Sequence, residues 1–201
     1  QDFLKKLWGH MRQHKRIIYL DETSTMMWEQ RSRIWMPRDQ PIHMRLQRDR
    51  GRSRTVIGAI CQEWPFMKFH VTDKTNSACF NTFLKYIIAE LGSETRNSVI
   101  VLDNHKAHYN QIAKELTQQC GIILEFLPAT ASELNPIERM WSYFKKEWRT
   151  WLCDTKFHVN RHNLDEKLVN CLNKVAHHGQ SLARGPLKHI LSANAPHWEV
   201  S

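Results

Sequence analysis

The chain of 201 residues is long enough for one domain with a sizeable core and short for two. Lysine and arginine outnumber aspartate and glutamate by 29 to 20, a formal net charge of +9, which points to a polyanionic partner with nucleic acid first among the candidates. Five cysteines with no C-x-x-C pair argue against a secreted disulfide framework, and no apolar run is long enough to span a bilayer, so a soluble intracellular protein with no membrane partner is expected.

Residues 1–16 read as a linker carrying a short amphipathic lead-in helix, with Leu4, Leu7, Trp8 and Met11 at helical spacing among basic side chains. Next come I-I-Y-L, R-I-W-M-P, T-V-I-G-A-I and F-M-K-F-H-V. All are short, rich in β-branched or aromatic residues and separated by polar segments, the pattern of an antiparallel meander. From Ser77 the period changes to that of a helix: Phe80, Phe83, Leu84, Ile87, Ile88 and Leu91 share a face, and Gly92 closes the run. The uninterrupted apolar run S-V-I-V-L-D predicts a central strand covered on both faces. A helix from about Asn110 to Gln119 then precedes the strand I-I-L-E-F-L-P, and strand, helix, strand implies parallel pairing. After a loop over Ala129 to Leu134, Asn135 is placed to cap a helix whose first residue is Pro136 and whose buried stripe is Ile137, Met140, Trp141, Phe144 and Trp148. The chain from about Asn163 reads as helical, then irregular around Gly185-Pro186 and Ala195-Pro196.

This order predicts an α/β domain over residues 17–201: a mixed sheet, made of a three-stranded antiparallel meander plus two parallel strands, flanked by helices and closed by a C-terminal helical extension. It is the order of a ribonuclease H-like fold. In such a layout the strand of Asp21, in I-I-Y-L-D-E-T, lies beside the strand of Asp103, in V-L-D-N-H-K-A-H, and the helix of Glu138, in L-N-P-I-E-R-M-W, packs across their ends. Taken singly each acid has a plain structural explanation. Asp21 ends a strand, Asp103 starts a turn, and Glu138 occupies the third helical position after Asn135, where a glutamate closes a capping box. Taken together, three carboxylates at one end of a sheet offer the oxygen ligands that hard divalent cations prefer.

The strings L-D-E-T, V-L-D-N-x-x-x-H and L-P-x-x-x-x-E-L-N-P-I-E-x-x-W, with 34 residues between Asp103 and Glu138, resemble the catalytic core of mariner-superfamily DDE transposases, including the related bacterial insertion-sequence branch. R-I-W-M-P-R-D-Q-P is similar to the hairpin of that group, and the resemblance runs from about Ile17 to Trp148. It implies Asp21, Asp103 and Glu138 as catalytic metal ligands holding two Mg²⁺ or Mn²⁺ ions, with Asn104 and His108 supporting the site from behind. The implied activity is cleavage of a DNA phosphodiester followed by strand transfer, on element ends and a target, by a homodimer acting at DNA in the nucleus or the bacterial cytoplasm. His105 has no counterpart in the resemblance. The sequence departs from the family's usual P-P-x-S-P-D-L-N-P over Pro128 to Pro136, where Glu133 replaces the aspartate, and Asp39 stands where the hairpin carries glycine.

Residues before Ile17 are too few for the helix-turn-helix modules that such transposases carry, so a catalytic fragment or a domesticated descendant is expected. The alternative function is a non-enzymatic DNA-binding or assembly module of the same fold. Arg48, Arg50, Arg52 and Arg54 in one basic segment, with Lys145 and Lys146 after Glu138, are the candidate contacts to DNA phosphates. Cys153, His158, His162 and Cys171 have a spacing that fits no common zinc module. Of the eight tryptophans, Trp141 and Trp148 are assigned to the core, and Trp28, Trp35 and Trp64 to the core or to stacking on unpaired bases.

Overall fold

Side-chain alternation along the strand β1, Arg16–Met26, divides the molecule into two layers. Ile17 and Tyr19 enter one apolar cluster while Ile18 and Leu20 enter the other, on the opposite face of the sheet. The computed structural model describes residues 2–27 and 53–184. The R-I-W-M-P segment, Asp39, Trp28, Trp35, Arg48, Arg50 and Arg52, and the Gly185-Pro186 and Ala195-Pro196 steps lie outside the described residues.

Five strands form one sheet in the order β3-β2-β1-β4-β5. β1 pairs antiparallel with β2, Ser53–Cys61, which pairs antiparallel with β3, Lys68–Thr72. On its other side β1 pairs parallel with β4, Ser98–Leu102, and β4 with β5, Ile123–Phe126. The meander and the two added parallel strands are therefore those expected from the sequence. Every residue of β4 is buried, as expected of a strand covered on both faces, and its one polar residue, Ser98, donates its hydroxyl to the carbonyl of Glu94.

Helices cover both faces. On one lie α2, Ser77–Leu91, and α3, Gln111–Cys120, with Phe80, Phe83, Leu84 and Ile87 of α2 packed on Ile18, Leu20, Ile57 and Ile100. Asn76 caps α2 by accepting from the Cys79 amide, and Asn110 caps α3 by accepting from the Ala113 amide. Gly121, at φ 71°, ends α3 in the left-handed region that glycine enters without steric cost. On the other face lie α1, Asp2–Arg12, α4, Ile137–Cys153, and α5, Leu164–Val175, whose inward residues include Phe3, Leu7, Met140, Phe144, Trp148 and Leu168. Residues 178–184 are helical again.

The start of α4 differs from expectation by one residue, and the difference has a tertiary cause. Pro136 is the cap residue and Glu138 the second helical position. The Asn135 amide donates to the carbonyl of Ser132 at 2.8 Å, not to Glu138, so no capping box forms. The Asn135 side chain donates to the carbonyl of Leu20 at 3.1 Å, tying the start of α4 to β1, while its Oδ1 accepts from the Ile137 amide at 3.4 Å.

Arg54 of β2 is also committed to the fold. Its side chain is 8% exposed; Nε lies 2.6 Å and Nη2 3.0 Å from the Asp165 carboxylate of α5, and Nη1 lies 2.9 Å from Asp73. Trp64, Trp141 and Trp148 are buried. Among the described residues, Cys153, His158, His162 and Cys171 do not gather as metal ligands. No helix among them is long and apolar enough to cross a membrane.

Candidate active site

Asp21 does not end its strand as the sequence suggests: it is the middle residue of β1, which stays paired with β2 as far as Met26, and it stands opposite Gly58, two residues past the last parallel pair with β4. The parallel register of β1 with β4 matches Tyr19 to Val101, and carried two residues further it sets Asp21 opposite Asp103, just past the end of β4. Both acids share the parity of Ile17, Tyr19, Val99 and Val101, whose side chains face the α4 layer. Crevices at the carboxyl ends of parallel strands are where open α/β sheets place their sites.

The third acid arrives with α4. Glu138 is exposed in the first turn, and Trp141, one turn further, donates its indole Nε1–H to Oδ2 of Asp21 at 2.9 Å. Trp141 fits because Gly58 has no side chain: a Cβ there would come within 2.5 Å of the indole. Asp21, Gly58 and Trp141 thus interlock, and the Asn135 bond to Leu20 fixes the same helix end one residue away along β1.

The electrostatics single out Asp21 among the acids. Burial pushes the Asp21 carboxyl up to about 7; the hydrogen bonds from Trp141 and from the Glu22 backbone oppose that shift, while the Glu138 and Glu22 carboxylates reinforce it. Among the described residues no lysine or arginine pairs with Asp21. A buried carboxylate with no cationic partner, beside further carboxylates, offers the oxygen donors that a hard divalent cation takes, so Asp21, Asp103 and Glu138 fit such an ion. Their carboxylate oxygens do not all lie within 4.8 Å of one another.

The side chains behind the acids come from the turn that follows β4. After Asp103 the chain turns through a 3₁₀ segment, Lys106–His108, that brings His108 back beneath the strand ends. Oδ1 of Asp103 accepts from the His105 amide at 3.0 Å and lies 3.1 Å from His108 Nδ1. The other ring nitrogen, Nε2, lies 2.9 Å from Oε1 of Glu22. His108 is wholly buried, and burial alone would lower its pKa, but the Asp103 and Glu22 carboxylates outweigh that and raise it to about 10. The hydrogen bond from His108 in turn holds the Asp103 carboxyl below the usual carboxylate range. Asn104 donates to the carbonyl of Leu127, joining the ends of β4 and β5, and accepts from the Tyr109 hydroxyl. The His105 ring accepts from the Ala107 amide at 3.4 Å, closing the 3₁₀ turn.

Glu22, Asp103 and His108 are the one group of potential ligand atoms among the described residues that lie within 4.8 Å of one another. Donor chemistry assigns this group differently: both ring nitrogens of His108 already face carboxylates, so the cluster is a hydrogen-bonded chain, and its open end is Asp103, 46% exposed at its side chain. Sequence reasoning passed over Glu22 and saw Trp141 only as core. Strand parity places Glu22 on the opposite face from Asp21, but its partner, 86 residues away, has no local signal. Of the candidate DNA contacts, Lys145 lies two turns from Glu138 on the same face of α4 and Lys146 is exposed beside it.

The same architecture occurs in solved structures. A Mos1 transposase paired-end complex with the left transposon end aligns at 15% identity and TM-score 0.56, over 93% of this chain and 61% of that one. A Mos1 mariner paired-end complex with Mn aligns at 14% and 0.56, over 94% and 61%. The catalytic domain of Mos1 mariner transposase aligns at 13% and 0.50, over 87% and 90%. These likenesses establish a ribonuclease H-like fold, and the chain spans about three-fifths of the length of the Mos1 chains in the first two. Comparison with curated protein sequences finds no match. The family model of the DDE superfamily endonucleases matches residues 16–156, a stretch that holds all three acids, and the chain belongs to that family.

Proposed function

We propose that this chain is the catalytic domain of a transposase, cutting DNA phosphodiesters and joining the freed 3′ ends to target DNA with divalent metal. The observation that carries the reading is that Asp21 and Asp103 lie just past the paired stretch of the neighbouring parallel strands β1 and β4, with Glu138 on the helix end that Trp141 and Asn135 fix to β1. Membership of an endonuclease family supports it.

Asp21, Asp103 and Glu138 hold Mg²⁺ or Mn²⁺, two ions in this reading. Bound metal lowers the pKa of the attacking oxygen and stabilises the leaving one. The residues have three tasks: the acids present oxygen ligands on one face, Trp141 and His108 fix the orientation of two of them, and Asn104 holds the strand ends that carry the site. Water is the first nucleophile and the 3′-hydroxyl the second, so no side chain needs to form a covalent intermediate. Lys145 and Lys146, with Arg48, Arg50 and Arg52, are proposed to hold DNA phosphates. Arg54, from the same basic segment, is assigned to the fold because Asp73 and Asp165 occupy its guanidinium. A homodimer on paired DNA ends, inside the cell at DNA, completes the proposal.

The test is Asp103→Asn assayed for strand breakage in plasmid DNA with Mn²⁺ or Mg²⁺. Cleavage is expected to vanish while the circular dichroism spectrum and general DNA affinity stay unchanged. Cleavage at the parent rate would overturn the assignment.

A further inference from the structure

We infer that Glu22 is a positioning residue that orients Asp103 through His108. The inference rests on the metal-binding reading proposed above and extends it to a residue on the opposite face of β1 from Asp21.

Three features of the geometry carry it. His108 is completely buried and each of its ring nitrogens is within hydrogen-bond distance of one carboxylate, Glu22 at 2.9 Å and Asp103 at 3.1 Å. Glu22 is itself nearly buried, with a side chain 10% exposed, whereas Asp103 is 46% exposed and faces the crevice. Phe80 of α2 packs against the ring with centroids 4.5 Å apart, and the Asp103 backbone carbonyl also lies 3.2 Å from Nδ1. The chain Glu22–His108–Asp103 therefore runs from a fixed, buried end to an open one.

Its effect falls on which oxygen of Asp103 is available. Oδ1 accepts from His108 and from the His105 amide, and among the described residues no hydrogen bond reaches Oδ2. A carboxylate held by one oxygen presents the other in a fixed direction, as supported ligands do in metal sites. Without Glu22 the imidazole loses its anchor at Nε2, so His108 holds Asp103 less firmly and more of that orientation falls to the His105 amide. Glu22 has the opposite strand parity to Asp21, and although its carboxylate lies within 4.8 Å of that of Asp103, the hydrogen bond it makes goes to His108 Nε2.

The experiment compares Glu22→Gln and Glu22→Ala with the parent chain. Gln Oε1 still accepts from Nε2–H, whereas Ala leaves the ring unanchored. Mn²⁺ binding is read by electron paramagnetic resonance without DNA, and the His108 Nε2–H by nitrogen-15 NMR without metal. The expected result is a slowly exchanging Nε2–H in the parent and in Glu22→Gln, lost in Glu22→Ala. Mn²⁺ affinity is expected to fall about 10- to 100-fold in Glu22→Ala and to recover most of that in Glu22→Gln. If Glu22→Gln loses as much affinity as Glu22→Ala, Glu22 is a ligand and not a positioning residue, and the inference fails. A parent chain without the protected Nε2–H also overturns it, whatever its metal affinity. A parent with the protected Nε2–H and no Mn²⁺ binding would sink the metal reading, and with it the proposed role of Glu22 toward a ligand, while leaving the hydrogen-bonded chain in place. Should Glu22→Ala fail to fold, the inference still stands or falls on Glu22→Gln, which must keep both signals.

Discussion

Trp141 of α4 donates its indole N–H to Asp21 of β1 at 2.9 Å, across 120 residues of sequence, and the ring lies over the one strand position opposite Asp21 that has no side chain. A residue of the hydrophobic core is thereby also a fixed donor to a candidate metal ligand. Trp141→Phe keeps most of the packing and removes the donor. Cleavage is expected to fall about tenfold with little change in melting temperature. An unchanged rate would show that the bond does not orient Asp21.

Gly58→Ala probes the same contact from the other side. The added Cβ would stand 2.5 Å from the far edge of the indole, so the ring must shift. Overpacking of this kind costs about 1–3 kcal/mol, read as a lower urea midpoint. Activity should fall further than in Trp141→Phe, because the displaced ring moves the start of α4, and Glu138 with it.

Asp21 gives the site a pH dependence of definite sign. Its carboxyl is raised to about 7 in the folded chain, above the ordinary carboxylate value it regains on unfolding. Between those two values the folded state holds a proton that the unfolded state has released. Without metal, stability is therefore full below the unfolded pKa and is lost as pH rises through the folded one. Asp21→Asn removes this loss and should stabilise the metal-free chain at about pH 8 by on the order of 2–4 kcal/mol, with a much smaller gain near pH 5. Thermal unfolding in a chelator at both pH values checks it. With Mn²⁺ the order should reverse, since only the parent has the ligand.

Asn135→Ala removes the bond to the Leu20 carbonyl and leaves that buried acceptor without its partner, at a cost of about 1–3 kcal/mol. The helix end that carries Glu138 then loses one of its two side-chain links to β1, the Trp141 bond to Asp21 remaining. Activity measured well below the variant's melting temperature should drop by more than tenfold, on the scale of supporting residues around metal sites. A variant with lower stability and the parent's activity would show that Asn135 serves the fold alone.

Much of this molecule was legible in the linear order of residues, for local reasons. The 3.6-residue stripe of Phe80 to Leu91 and the unbroken apolar run before Asp103 are set by how each segment buries its own side chains, and the element order they define leaves few ways to build the sheet. Strand parity along β1 likewise sends Asp21 and Glu22 to opposite faces. The partners are another matter. That Trp141 rests on Gly58 and reaches Asp21, that Asn135 bonds to Leu20, that Arg54 meets Asp73 and Asp165, and that His108 joins Glu22 to Asp103 depend on distances between segments far apart in sequence. A side chain with several available hydrogen-bond partners chooses among them by which is brought within 3 Å as the layers pack, and no local pattern encodes that choice. Three acids and a family likeness were visible in the residues; the framework that aims two of those acids, Trp141 behind Asp21 and Glu22 with His108 behind Asp103, exists only once the two helical layers close on the sheet.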